Sequence, residues 1–465
     1  MRNNKLFILL PDGVGLRNFA FTNFHKFANE RGLKITFWNN TPFDLSAMQF
    51  VETKINNAKA HPLTNMLKMA QTRIELALSI KRSKDLVFNS YKFPFLNNDL
   101  KLFIKNCYVN CLILLYNSEK GLEKIRKKIA QNERKTKLYL DSLETLKNEN
   151  PAIVFCTNQR TMLAVAPILA AQDLGIPTVA IIYSWDNLPK ATKIVEPDFY
   201  FVWSDYMKKE LIYYYPHVRE EQIFITGTPQ FEPHFDATLL VSRIEFFEQY
   251  GLDLNKKYIC FSGDDIVSSP HDPVYLDDTA TAIRNLNSNG HQLGIIFRRC
   301  PVDFSKRFDE VLEKNKDVIT SIAPKWEKIA EGWDTILPTK DDLILQMNTI
   351  FHTELVVNLG SSMVFDYVAF GKPCAYFNYN VDNILFKDWA AEKVYNFMHF
   401  RSMPNQKAVF WINSASEISD LLSKMLGESK QEAVENAQIW FEKINQHPAK
   451  DASKRILDAI EEIMV

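Results

Sequence analysis

Three observations predict an α/β fold built on parallel sheets. Short apolar runs of strand length alternate with longer helical stretches, the order that builds parallel rather than antiparallel sheets. The segment Glu354–Pro373, ELVVNLGSSMVFDYVAFGKP, reads as a buried strand, a Gly-Ser-Ser turn and a short helix closed by Gly371. At 465 residues and 46% hydrophobic content, the chain has the length for two or three domains and the apolar material to fill their cores.

In chain order, the strand-like runs of the first half are Leu6–Leu10, Lys34–Trp38, Ala152–Cys156, Thr178–Tyr183, Phe199–Trp203 and Gln222–Thr226. An insertion over Asn39–Asn150 separates the second from the third, with helical patterning over Leu63–Leu86 and Leu100–Leu146. A linker over Glu232–Lys257 contains a helical stretch at Leu239–Tyr250. Tyr258–Ser262, Gly294–Phe297, Thr335–Leu337, Leu355–Asn358 and Cys374–Phe377 are the strands of the second half, and the chain is helical from about Gln431 to Val465.

The Gly-Ser-Ser turn has the shape of a phosphate site. Gly360 lets the backbone turn tightly, Ser361 or Ser362 can cap the next helix, and the free N–H groups and positive dipole end of its first turn favour a diphosphate. Asp366, about one turn further in, has the reach to accept hydrogen bonds from a ribose diol. The same residues also describe an ordinary β-loop-α turn with a serine cap.

Composition excludes several classes. A net charge of −1 provides no global field for holding nucleic acid, and no zinc-finger or RNA-binding signature is present. Cys107, Cys111, Cys156, Cys260, Cys300 and Cys374 lack CxxC spacing and read as reduced core residues. KLFILL breaks at Pro11, too short for a signal peptide, so the expected location is the cytoplasm. No HExxH, DxD, GxSxG or P-loop appears, so no metal, α/β-hydrolase or ATPase site is expected. Tyr108–Tyr116 is apolar but far short of the ~20 residues that span a bilayer. After it, Lys120, Lys124, Arg126, Lys127, Lys128, Arg134, Lys135 and Lys137 outnumber Glu123 and Glu133. That run fits either a solvated helix face or peripheral contact with the inner membrane surface.

Ser184-Trp185-Asp186-Asn187-Leu188 and Val202-Trp203-Ser204 each follow a strand, and Ile223–Phe231 reads IFITGTPQF. With GSSMVFDYVAFGKP, these segments resemble the GT-B glycosyltransferase superfamily, in particular bacterial surface-polysaccharide transferases and their CDP-glycerol glycerophosphotransferase relatives. The resemblance implies two Rossmann-like domains facing a cleft: an acceptor domain at 1–236 with a helical insertion at about 39–150, and a nucleotide-donor domain at 237–440. It implies also a C-terminal helix at 441–465 that returns to the first domain, a nucleotide-sugar as co-substrate rather than a bound cofactor, and no essential metal.

Ligands of open parallel sheets gather beyond the carboxyl ends of the strands, which singles out Pro11–Asn18. Asn18 stands where a dinucleotide fingerprint needs its third glycine, which weighs against NAD. Gly13, Gly15 and Arg17 are the expected acceptor contacts of that loop. Asp12 is the carboxylate placed to take a proton from an attacking hydroxyl, or else a turn cap. Trp185 can stack on a sugar with Asp186 and Asn187 bonding its hydroxyls, Asp186 being a second catalytic candidate; equally, Trp185 can be core and Asp-Asn a turn. Asn158-Gln159-Arg160 has the same position and the same ambiguity. In the second half Arg298 is the preferred cation for the diphosphate, one of two adjacent arginines of which one points inward; His352 and His399 are either phosphate contacts or structural.

The expected function is transfer of a sugar from a nucleotide donor to a hydroxyl of a glycan, or lipid-linked glycan, at the cell surface. The alternatives are a glycerol- or ribitol-phosphate transferase with a CDP-activated donor, a nucleotide-sugar 2-epimerase, and a non-catalytic protein that keeps the nucleotide pocket.

Overall fold

The computed structural model describes residues 3–95, 99–328, 336–382, 386 and 389–464. The chain forms two compact units, Met1–Pro229 with Ile444–Val465, and Gln230–Lys443.

The first unit is built on strands β1 (Lys5–Leu10), β2 (Lys34–Asn39), β3 (Glu52–Lys54), β4 (Ile153–Cys156), β5 (Thr178–Ile181), β6 (Phe199–Val202) and β7 (Ile223–Ile225). They form one sheet in the order β3-β2-β1-β4-β5-β6-β7, every pair parallel. Leu6–Leu10 are fully buried, as a central parallel strand covered on both faces requires. Helices α1 (Val14–Phe19) and α2 (Phe24–Glu30) join β1 to β2; α3 (Thr64–Ser83), α4 (Leu100–Tyr116), α5 (Glu119–Glu133) and α6 (Lys137–Glu149) lie between β3 and β4. Leu67, Ile74, Val109, Leu122 and Ile125 of these helices share one core with Phe7, Leu9, Trp38 and Val154 of the sheet. The helical stretch expected over Leu100–Leu146 is three helices, because Ser118 and Thr136 each leave helical geometry and accept a hydrogen bond from the new helix's third residue.

The terminal segment belongs to this unit. Asn445 Oδ1 accepts from Thr228 N (3.0 Å), Arg455 Nε donates to Thr226 O (2.8 Å), and Arg31 pairs with Asp458 and Glu461 of the helix Ala452–Ile463.

The second unit contains β8 (Lys257–Ser262), β9 (Leu293–Arg298), β10 (Ile319–Ser321), β11 (Glu327–Lys328), β12 (Ile336–Leu337), β13 (Thr353–Asn358), β14 (Cys374–Phe377) and β15 (Phe410–Ile412). Six of them form a second all-parallel sheet in the order β10-β9-β8-β13-β14-β15. The strand expected at Thr335–Leu337 is not part of it: Ile336 and Leu337 pair antiparallel with Glu327 and Lys328, while Thr335 lies outside the described residues. The edge strands β3, β10 and β15 were not among the expected strands, although β7, an edge strand of the same length, was expected at Gln222–Thr226. The linker helix is Arg243–Tyr250, capped by Ser242 and ended by Gly251 at φ 64°.

Each sheet is a Rossmann-like arrangement whose strand order reverses once, at β1/β4 in the first unit and at β8/β13 in the second. Such switch points open a crevice beyond the strands' carboxyl ends, since the loops on either side lead away in opposite directions.

One buried group of the first unit gives a pH dependence. Glu75 of α3 bonds Gln71 Nε2 at 3.0 Å, and burial pushes its carboxyl from 4.5 up to about 8. A raised folded-state value means that its contribution is complete below pH 4.5 and is lost as pH rises through about 8. Glu75→Gln is expected to flatten the fall in melting temperature across that window, which parallel thermal melts of both proteins would show.

Candidate functional site

In the first unit, the loops at the switch point are Pro11–Gly13, after β1, and Thr157–Thr161, after β4. Asp12 is 5% exposed. Its Oδ2 accepts from Asn158 Nδ2 and Thr161 Oγ1, both at 2.8 Å, and its Oδ1 accepts from Val14 N at 3.2 Å. Burial raises its proton affinity, and the three donors and the charge of Arg160 oppose that rise. Asp12 is therefore both a turn cap and a desolvated carboxylate at the crevice.

Other expected residues gather there. Tyr183, after β5, has a hydroxyl that burial pushes up to about 12; Arg17 and Arg160 lower it, and Asp12 and Asp186 raise it. Lys68 of α3 joins them, donating to Arg160 O at 2.5 Å, its ammonium brought down to about 8 by burial and then by Arg160's charge. Lys68, Thr161 and Tyr183 were not among the expected residues. Asn158-Gln159-Arg160 pointed at the right loop, but Lys68 lies far away in sequence and nothing local marks it.

Gly15 works through packing. A Cβ there would lie 2.3 Å from Thr157 Oγ1, so glycine lets α1 approach the β4 loop. Gly13 has φ −73°, open to any residue, and Arg17 is half-buried in the last turn of α1. Trp185 and Asp186 are half-buried; Asp186 accepts from Asn187 Nδ2 at 2.9 Å and pairs with Lys190. Asn187 is buried, and its Oδ1 accepts from Gln159 Nε2 at 3.1 Å. Gln159 Oε1 in turn accepts from Tyr183 N at 2.9 Å, so the expected sugar contact of Asn187 is replaced by a brace between the β4 and β5 loops.

In the second unit, Leu359–Ser362 follow β13 at the switch point. Gly360 has φ +71°, which favours glycine, and a Cβ would stand 3.0 Å from Phe400 Cζ and 3.1 Å from Val394 Cγ1, so those side chains would have to give by a few tenths of an ångström. Asn358 Oδ1 accepts from Ser361 N (2.8 Å), and Tyr376 Oη donates to Ser361 O (2.8 Å). The turn is thus fixed from both sides while Gly360, Ser361 and Ser362 stay half-exposed. Ser362 occupies the N-cap position with no side-chain cap bond. The helix that follows, Met363–Val368, has only six residues, so its dipole is weaker than expected.

Across the switch point, the loop after β8 is held by a second cluster. Asp272 accepts from Asp264 N at 2.6 Å and from Ser269 Oγ, and burial pushes its carboxyl up to about 7. Arg307 Nη2 donates to Asp264 O at 2.5 Å and its Nε to Asp303 at 2.8 Å.

Two expectations in this unit, those for Arg298 and Asp366, are corrected, while His352 and His399 take the structural alternative. Arg298 is the inward arginine: it is buried, and its Nη2 donates to Asp342 Oδ1 at 2.9 Å and Oδ2 at 2.8 Å. Its Nη1 is buried without a hydrogen bond, and the half-exposed member of the pair is Arg299. Asp366 is 3% exposed rather than open to a ribose, with Oδ1 2.8 Å from His234 Nε2, a charge-pairing distance at an angle that makes no hydrogen bond. His352 stacks on Phe246 and bonds Val241 O at 3.0 Å. It also precedes β13, at the opposite end of the strand from Gly360, roughly 20 Å away at the usual rise per residue. His399 is buried beside Phe397 and Phe400.

No protein-family model matches the chain, and no curated protein matches it. Solved structures do. A glycosyltransferase from Rickettsia africae ESF-5 is 11% identical with TM-score 0.54, covering 100% of this chain and 99% of its own. The S. aureus MnaA–UDP complex is 12% identical with TM-score 0.52, covering 98% and 96%. The UDP-GlcNAc 2-epimerase of Methanocaldococcus jannaschii is 12% identical with TM-score 0.52, covering 98% and 99%. Likeness at this level is likeness of fold, and the fold is that of the GT-B enzymes.

Proposed function

We propose that this chain, with its GT-B fold, uses a nucleotide-sugar and transfers the sugar to a hydroxyl of a cell-surface glycan. The observation that carries the reading is the Gly360-Ser361-Ser362 turn, rigidly braced, half-exposed and seated at the switch point of the second sheet. With the Ser361 N–H held by Asn358, the N–H groups of Gly360 and Ser362 and the serine hydroxyls are the donors that suit the oxygens of a diphosphate, and Arg299, whose Nη1 donates to Ser305 O at 3.0 Å, offers a cation at the end of β9. A UDP-linked donor is favoured because the solved structures of like fold include a UDP complex and a UDP-GlcNAc enzyme.

In the proposed mechanism, the first unit supplies the acceptor side. Asp12 takes the proton of the attacking hydroxyl, with Asn158 and Thr161 holding its Oδ2 in place. Arg17, Arg160 and Trp185 bind and orient the acceptor. At the donor side, fixed N–H groups and cations stabilise the charge that develops on the leaving diphosphate. Asp366 acts through His234 to hold the short helix behind the turn, a positioning part rather than a ribose contact.

A second reading, 2-epimerisation of the nucleotide-sugar, is favoured because the solved structures of like fold include UDP-GlcNAc 2-epimerases. Product analysis separates the two. Incubated with UDP-GlcNAc alone, a transferase leaves the sugar's configuration at carbon 2 unchanged and releases UDP only when a glycan acceptor is added. Formation of UDP-ManNAc without acceptor would replace the transferase reading by the epimerase one. The phosphate-transferase alternative loses support because His352 is packed at the far end of β13.

A further inference from the structure

Helix α4 is apolar on the side that the fold leaves uncovered. Asn106, Val109 and Leu112 face inward, whereas Leu100, Phe103, Ile104, Tyr108, Leu114 and Leu115 are exposed, Leu114 to 82% and Leu115 to 75%. These residues recur at the three- and four-residue spacing that makes one continuous helix face. Cys107 and Cys111 lie on the same face and are exposed, which corrects the expectation that all the cysteines are core. A soluble protein rarely leaves so continuous an apolar surface without a partner.

The next helix supplies the charge. On α5, Leu122, Ile125 and Ile129 are buried, while Lys120, Lys124 and Lys128, four residues apart, form one exposed row. Lys127 is paired with Glu123 at 2.6 Å, but no ion pair is formed by Lys120, Lys124 or Lys128 among the described residues. Lys101, also exposed, adds charge on α4 itself.

We infer that the α4–α5 hairpin docks on an anionic lipid bilayer, with the apolar face of α4 sunk to the headgroup–acyl boundary and Lys120, Lys124 and Lys128 against the headgroups. A bilayer satisfies both halves of the surface at once, by apolar burial and by attraction of lysine to anionic lipid. A second copy of the chain fits less well, because a two-fold contact sets the same patch against itself and brings like-charged lysine rows together. The contact is interfacial, since no described helix is long and apolar enough to cross a membrane. The inference uses none of the residues placed in the transferase mechanism and stands or falls apart from it.

The test is co-sedimentation of the full chain with vesicles of phosphatidylcholine alone and of phosphatidylcholine with an equal amount of phosphatidylglycerol. The wild type is expected to sediment with the mixed vesicles and to be released by high salt. The L114S/L115S and K120E/K124E/K128E variants are each expected to bind about tenfold or more weakly, with unchanged circular-dichroism melts. Wild type left in the supernatant with both vesicles, or variants that sediment like the wild type, would overturn the inference. So would a dimer in light scattering that L114S/L115S converts to monomer without any vesicle binding, which would assign the face to a second copy.

Discussion

Asp12→Asn is expected to lower turnover by about 10²- to 10⁴-fold, the usual share of a positioned general base. The substitution keeps the side chain's shape, and the donors around it, Asn158 Nδ2, Thr161 Oγ1 and Val14 N, stay in place. What is lost is the capacity to accept a proton. Some stability goes as well, on the order of 1–3 kcal/mol, because an amide N–H₂ now faces donors where an acceptor stood. Turnover per folded molecule, normalised by a melt of the same sample, separates the two effects. The pH profile gives a second readout: a base must be ionised, so the wild-type rate falls as pH falls through Asp12's pKa. Burial raises that pKa, so the fall begins above the ordinary carboxylate range. A variant that folds and turns over like the wild type would leave Asp12 with its capping part alone.

Asp342→Ala is expected to destabilise the protein by about 3–5 kcal/mol, the range for removing one partner of a buried ion pair. Asp342 accepts not only from Arg298 but also from Lys325 N at 2.8 Å and Trp326 Nε1 at 2.6 Å. Without it, a buried guanidinium, an indole N–H and a backbone N–H all lose their acceptor. The measurement is chemical denaturation, with Asp342→Asn as the milder comparison, since it keeps one of the two acceptor oxygens in place. A loss below about 1 kcal/mol would mean that Arg298 turns outward to water and is available to a phosphate after all.

The strands that position the two crevices were legible in the sequence because each is a short apolar run buried on both faces. β1, β4, β8, β13 and β14 all read this way, and the turn at Gly360 could be placed from its glycine and serines alone. The edge strand Glu52–Lys54 has no apolar residue to mark it, whereas the equally short Ile223–Ile225 is wholly apolar and was read. The partners of charged side chains were out of reach for a different reason. Arg298 meets Asp342 and Asp366 meets His234 through the fold, so sequence offered these charges as free ligands where the structure has matched them. Lys68 shows the converse, a cation brought to the Asp12 crevice from a helix whose local pattern records only amphipathicity.

The claim that the Gly360 turn holds a nucleotide is tested most directly by titrating the wild type and Gly360→Ala with UDP, GDP, CDP, TDP and CMP while following thermal stability. UDP at about 100 times its dissociation constant is expected to add roughly 2.7 kcal/mol to the wild type. Gly360→Ala is expected to lose that gain, since a Cβ strains the turn at φ +71° and meets Phe400 at 3.0 Å. A wild type that no nucleotide stabilises, or a variant stabilised as much as the wild type, would contradict the assignment.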